Sequence, residues 1–223
     1  MELHIFKNPD QKRKRELNMT KIEKIGFYGI LTNPVVGYER IAEVMVQRGV
    51  RIIQLRMKDA SKTEVLSMAV KIRRIVPEGI TFIVNDYPEI AREVGACGVH
   101  LGQDDMPYDE ARKIVGPDAV IGLSTHNPAQ TEAACALGPD YIGVGPVHAT
   151  PTKKNPDPVI GLGGMTEMLS IATVPAVVLG GIDHDNLAEV LSAGARNVCA
   201  VRCINDSKDP GIELDRMIRA IGR

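Results

Sequence analysis

Eight short apolar runs rich in β-branched residues recur along the chain, and most are separated by longer stretches with apolar residues at helical spacing. No other feature of the sequence restricts the fold as much. The runs cover residues 25–31, 50–55, 80–85, 98–101, 119–123, 141–144, 176–179 and 197–201, and the helical stretches 39–48, 62–76, 109–115, 128–137, 165–172 and 186–193. Capping signals agree with these boundaries. Ser61 precedes Glu64 at the capping-box offset, Asp185 or His184 starts a further helix, and Gly49, Gly95, Gly138 and Gly194 stand just past four helical patterns. Strands that are apolar on both faces and separated by helices pair in parallel through right-handed crossovers. Eight such units of about 25 residues predict a TIM (β/α)8 barrel of the α/β class. The competing arrangement is a doubly wound open sheet. It usually carries a glycine fingerprint after its first strand, where this chain has Thr32-Asn33-Pro34-Val35.

At 223 residues the chain suits one such barrel, over residues 25–223, preceded by a short N-terminal extension over residues 1–24. The extension holds Lys12-Arg13-Lys14-Arg15 with no apolar run behind it, and so reads as neither signal peptide nor anchor. A formal net charge of −1 provides no long-range positive field to gather nucleic acid or an anionic membrane, so any phosphate must be held locally. The 4% aromatic content, without Trp, argues against stacking on single-stranded nucleic acid. No apolar stretch approaches the roughly 20 residues of a membrane span. Cys97, Cys135, Cys199 and Cys203 lack metal or redox spacing and read as small core residues, which predicts a cytoplasmic protein.

In a barrel, the chemistry emerges at the carboxyl ends of the strands, and the unusual polar residues of this chain occur there. Strand 2 ends in Gln54-Leu55-Arg56-Met57-Lys58, where alternation turns Gln54, Arg56 and Lys58 to one side. An amide beside two cations fits a polyphosphate and a polar heterocycle, or else a solvated strand end. Strand 3 presents Asn85-Asp86, and strand 4 leads into Gln103-Asp104-Asp105. These acids suit a Mg2+ ion shared with substrate phosphates, although Asp104-Asp105 also fits a helix start before Pro107. Strand 5 ends at Ser124-Thr125-His126, an anion cradle or a helix cap provided by Ser124 or Asn127. A long loop follows strand 6, with Thr150, Thr152 and Lys153 and a Pro- and Gly-rich stretch to Gly164, and long loops of this kind carry function. Gly180-Gly181 after strand 7, and Val201-Arg202 at the end of strand 8, occupy the recurrent phosphate site of the fold. Two phosphate-compatible surfaces on one rim imply two phosphorylated substrates.

Taken together, Gln-x-Arg-x-Lys, Asn-Asp, His-Leu-Gly-Gln-x-Asp, Gly-x-Ser, Gly-x-Gly-Pro with Thr-x-Thr-Lys, and Gly-Gly-Ile resemble the thiamine phosphate synthase family, in order and spacing, from about Phe27 to Pro210. The resemblance implies that Gln54, Arg56, Lys58, Asn85 and Lys153 hold a pyrimidine diphosphate. It implies that Asp86 and Asp105 carry one Mg2+ and that Ser124 lies by the pyrophosphate. Thr150, Thr152, Gly181 and the Val201-Arg202 backbone would hold a thiazole phosphate. The chemistry implied is a dissociative substitution in which Arg56, Lys58, Ser124 and Lys153 serve the leaving group. The partners implied are two small phosphorylated heterocycles, with self-association left open. Arg202 stands where the family most often has Ser, and residues 155–164 differ from the commonest members. Two other readings remain: a thiazole tautomerase-like isomerase, and a non-catalytic phosphate-binding barrel.

Overall fold

The computed structural model describes residues 25–150 and 157–222, so the N-terminal extension, Thr152 and Lys153 lie outside the described residues. Eight strands occur in the expected order: β1 (Gly29–Leu31), β2 (Ile52–Leu55), β3 (Thr81–Asn85), β4 (Gly98–Leu101), β5 (Val120–Thr125), β6 (Tyr141–Val144), β7 (Ala176–Leu179) and β8 (Asn197–Cys199). Each pairs in parallel with the next. The ring is joined where Phe27 bridges Val198, with the Tyr28 amide donating to the Val198 carbonyl at 2.9 Å and the Val198 amide to that of Gly26 at 2.8 Å. Strand order equal to chain order, closed between first and last, is a barrel and excludes the doubly wound sheet.

The described helices are α1 (Tyr38–Gln47), α2 (Lys62–Ile75), α3 (Pro88–Glu93), α4 (Tyr108–Val115), α5 (Pro128–Leu137), α6 (Gly161–Ile171), α7 (Leu187–Ser192), α8 (Arg202–Asn205) and α9 (Pro210–Ile221). The Ser61–Glu64 capping box is formed in full, and Gly49, Gly95, Gly138 and Gly194 all take positive φ, as helix stops require. Four differences from the expected boundaries bear on the rim. Asn186 stands at the N-cap position of α7, because the Asp183 carboxylate accepts the amides of Asp185 and Asn186 and closes a turn ahead of it. Helix α6 begins at Gly161, so residues 161–164 belong to its first turns and not to the preceding loop. The Ile160 and Gly161 amides donate to the carbonyls of Pro146 and Val147, which anchors that start. Strand β8 ends at Cys199, and Val201 precedes α8. Pro107, not Asp104 or Asp105, occupies the N-cap position of α4.

Burial divides into two apolar layers. One packs the helices onto the outer face of the sheet, through residues such as Leu31, Ile53, Leu55, Phe82 and Val84. The other fills the barrel interior with Ile25, Tyr28, Ile30, Ile52, Ile83, Val120, Tyr141, Val177 and Cys199. Burying this apolar area, at roughly 25 cal/mol per Å2, is the main force that holds the strand ends in one ring. The interior is full below and open above, so the carboxyl ends of the strands form the rim of a cavity. Among the described residues no helix is long and apolar enough to cross a membrane.

Candidate active site

The rim encloses a cavity of about 500 Å3. Gln54, Arg56, Lys58, Asn85, Asp86, Asp105, Ser124, Thr150, Gly180, Gly181, Val201 and Arg202 all line it. The register of the sheet brings them together, since Gln54 pairs with Ile83 two residues before Asn85, Asn85 with His100, and Ser124 with Gly143.

On one side of the cavity, the Lys58 ammonium lies 2.6 Å from Asp86 and 3.8 Å from Asp105. Burial raises the Asp86 carboxyl to about 6, helped by the neighbouring Asp105 and opposed by Lys58. Burial alone would also raise Asp105. Its contact with Asp86, the Gly102 amide at 2.6 Å and the Lys58 charge together outweigh that and leave it below its ordinary value. The pair therefore holds one proton more readily than an isolated carboxylate would. Asp86 Oδ1 is buried without a hydrogen-bond partner among the described residues, and Asp86 has a φ of 67°, rare outside glycine. An uncompensated oxygen on a conformationally costly residue, facing a second carboxylate, fits a hard divalent cation that takes its other ligands from water and phosphate. Among the described residues no cluster of three or more His, Cys, Asp or Glu suited to a metal occurs. Arg56 lies on the same side, its pKa lowered by burial against the opposing pull of Asp86, Cys199 and Asp105.

The opposite side is built from the turns after β6, β7 and β8. The Val147 amide donates to the Leu179 carbonyl and the His148 amide to that of Gly180, both at 3.0 Å, which zips the two loops together. This needs glycine at both positions. Gly180 and Gly181 have φ of 101° and 62°, and a Cβ would lie 2.4 Å from Pro146 or 2.6 Å from the Ala149 carbonyl. Arg202 points along the rim, where its Nε lies 3.3 Å from Asp206 and its side chain is 60% exposed.

Asn127 caps α5 by accepting the Gln130 amide, which leaves Ser124 available to the cavity. His126 Nδ1 donates to the Gly145 carbonyl at 2.6 Å and its Nε2 meets Asp157 at 3.3 Å, so it ties the β5 and β6 loops together. Sequence reasoning did not assign roles to Tyr28, His100 and Tyr141, which also line the cavity. Their polar atoms connect Gln54 to Ser124. The available signal was two tyrosines and a histidine inside otherwise apolar runs.

A phosphate-compatible rim facing a paired-carboxylate side defines a barrel enzyme of the phosphorylated-substrate class. The family described as Thiamine monophosphate synthase matches residues 32–204, and the chain belongs to that family. It is 44% identical over 178 residues to the thiamine-phosphate synthase of Pelotomaculum thermopropionicum, covering 79% of this chain and 81% of the relative. It is 42% identical over 170 residues to that of Shouchella clausii, covering 76% and 81%. A solved thiamine phosphate pyrophosphorylase from Pyrococcus furiosus superposes with a TM-score of 0.81 at 28% identity, covering 90% of this chain and 97% of the other. The protein is thus a transferase of thiamine biosynthesis.

Proposed function

We propose that this enzyme joins a 4-amino-pyrimidine methyl diphosphate to a hydroxyethylthiazole phosphate, with release of pyrophosphate. In the first half of the reaction the methylene C–O bond breaks and pyrophosphate leaves with the electron pair. The resulting pyrimidine cation is stabilised by its own amino group. In the second half the lone pair of the thiazole nitrogen forms the new C–N bond. No protein nucleophile is needed, and Arg56 and Lys58, which line the cavity, supply positive charge for the leaving group.

The observation that carries this reading is the convergence of Lys58, Asp86 and Asp105 across the cavity from Gly180, Gly181 and Val201. Asp86 and Asp105 would hold one Mg2+. When bound, that ion neutralises charge on the diphosphate oxygens. Arg56 and Lys58 orient the leaving group and offset the charge it gains, and Lys153 is assigned to the same task. Gln54 and Asn85 sit deeper, 2% and 7% exposed, where a heterocycle and not a hydrated phosphate would meet them. Thr150, Thr152, Gly181 and the Val201-Arg202 backbone are assigned to the thiazole phosphate. Holding both rings in one cavity supplies much of the acceleration by proximity. The four cysteines are free, in keeping with a reducing cytoplasmic setting. Incubation with both substrates tests the proposal: thiamine monophosphate and pyrophosphate are expected in equal amounts, dependent on Mg2+. Metal-independent isomerisation of the thiazole alone would favour the tautomerase reading.

A further inference from the structure

An unbroken chain of hydrogen bonds crosses the barrel interior beneath the cavity. The Gln54 amide nitrogen lies 3.0 Å from the Tyr28 hydroxyl, which lies 2.6 Å from the Tyr141 hydroxyl. That hydroxyl is 3.0 Å from His100 Nδ1, and His100 Nε2 is 2.9 Å from Ser124 Oγ. Its members come from β2, the run before β1, β6, β4 and β5, so the fold and not local sequence assembles it.

We propose that Tyr28, Tyr141 and His100 are positioning residues that hold the Ser124 hydroxyl as a proton donor toward the cavity, where it meets the departing pyrophosphate. The inference rests on the placement of Ser124 beside the pyrophosphate under the proposed function. The amide N–H of Gln54 donates to Tyr28, and in the proposed polarity Tyr28 gives its single proton to Tyr141. Tyr141 then gives its proton to Nδ1 of His100. A neutral imidazole that accepts at Nδ1 carries its hydrogen on Nε2 and donates to Ser124 Oγ. The serine proton is left for the cavity. Burial pushes both phenols above their ordinary range, so each keeps its one proton.

The surrounding packing holds this geometry. His100 stacks on Tyr141 with ring centroids 5.5 Å apart, and a Cβ on Gly122 would lie 2.1 Å from Tyr141 Cζ. Glycine there makes room for the ring. Chemically, a donor hydroxyl complements oxygens that gain negative charge as the C–O bond breaks. The opposite polarity, in which the Tyr28 oxygen accepts from both Gln54 and Tyr141 and His100 donates from Nδ1, would aim a serine lone pair at the anion.

The first test reads the tautomer of His100 in the ligand-free protein by 15N NMR at alkaline pH. Hydrogen on Nε2 is expected, and hydrogen on Nδ1 overturns the proposal. The second measures steady-state kinetics of Tyr141→Phe, Ser124→Ala and the double variant. Tyr141→Phe is expected to lower kcat about tenfold, as loss of one oriented bond to a charged group would, with KM for the pyrimidine diphosphate nearly unchanged. The double variant is expected to be no slower than Ser124→Ala. Multiplying losses would overturn the inference, because the two residues would then act independently. Since the tautomer is read without substrate, the two failures are distinguishable: wild-type turnover in Ser124→Ala with hydrogen on Nε2 would refute the role of Ser124, not the polarity of the chain.

Discussion

Asn205, in the four-residue helix α8, is the side chain that fastens the closing point of the barrel. It is 1% exposed. Its Oδ1 accepts the Thr32 amide at 3.0 Å, and its Nδ2 donates to the carbonyls of Ile30 and Val201, both at 2.9 Å. Asn205→Ala removes all three bonds. The Val201 carbonyl still accepts the amides of Ile204 and Asn205, so its loss is small. The Thr32 amide and the Ile30 carbonyl lose a partner in a buried setting, and a stranded group of this kind costs roughly 1–3 kcal/mol. Counting the first in full and the second in part gives a loss of about 2–4 kcal/mol, or a fall in Tm of about 5–15 °C at this chain length. Asn205→Asp keeps the acceptor for Thr32 but turns a carboxylate oxygen toward two carbonyls, so it should destabilise at least as much. Urea unfolding of the three proteins measures this. A loss below about 1 kcal/mol in Asn205→Ala would show that the clamp is not structural and refute the reasoning.

Three further outcomes follow from the same geometry. Asp86→Asn and Asp105→Asn should each lower turnover on the order of a hundredfold at limiting Mg2+ while Tm holds, because an electrostatic group facing developing charge is lost and no core packing is; asparagine is chosen since it tolerates the positive φ at position 86. Asp86 holds its proton up to about 6, so Mg2+ must displace that proton at lower pH, and the apparent metal affinity should fall as pH drops through that value and level off above it; calorimetric titrations showing equal affinity on both sides would contradict the shared-proton account. Arg202→Ser should weaken thiazole phosphate binding less than tenfold, because the guanidinium is paired with Asp206 at 3.3 Å on an exposed rim where such charges contribute under about 1 kcal/mol; a larger loss in equilibrium binding would mean that the arginine turns inward onto the phosphate.

The barrel and most of its rim were legible in the sequence, for a definite reason. Each strand is an apolar run that ends abruptly in polar residues, as Ile83-Val84 gives way to Asn85-Asp86, and in a parallel barrel those ends can only gather at one face. The glycine stops were legible because a positive φ at a helix end selects glycine. The extent of helix α3 was not, although Gly95 marked its end, since its six residues are too short to display a helical period. Nor was the interior chain. Tyr28 and Tyr141 satisfy an apolar pattern with their rings, and the contact between their hydroxyls depends on the Gly122–Tyr141 register across β5 and β6. Asn205 escaped for a similar reason, because its partners Ile30 and Thr32 lie more than 170 positions away in sequence.

In the proposed reaction the two phosphorylated groups occupy opposite sides of one cavity. A crystal structure of the enzyme with Mg2+, thiamine monophosphate and pyrophosphate tests it most directly. Pyrophosphate is expected against Arg56, Lys58 and Ser124 with the metal on Asp86 and Asp105, and the product's phosphate against Gly181 and Val201. Pyrophosphate seated on the Gly180–Gly181 side, or a metal away from both aspartates, would contradict it.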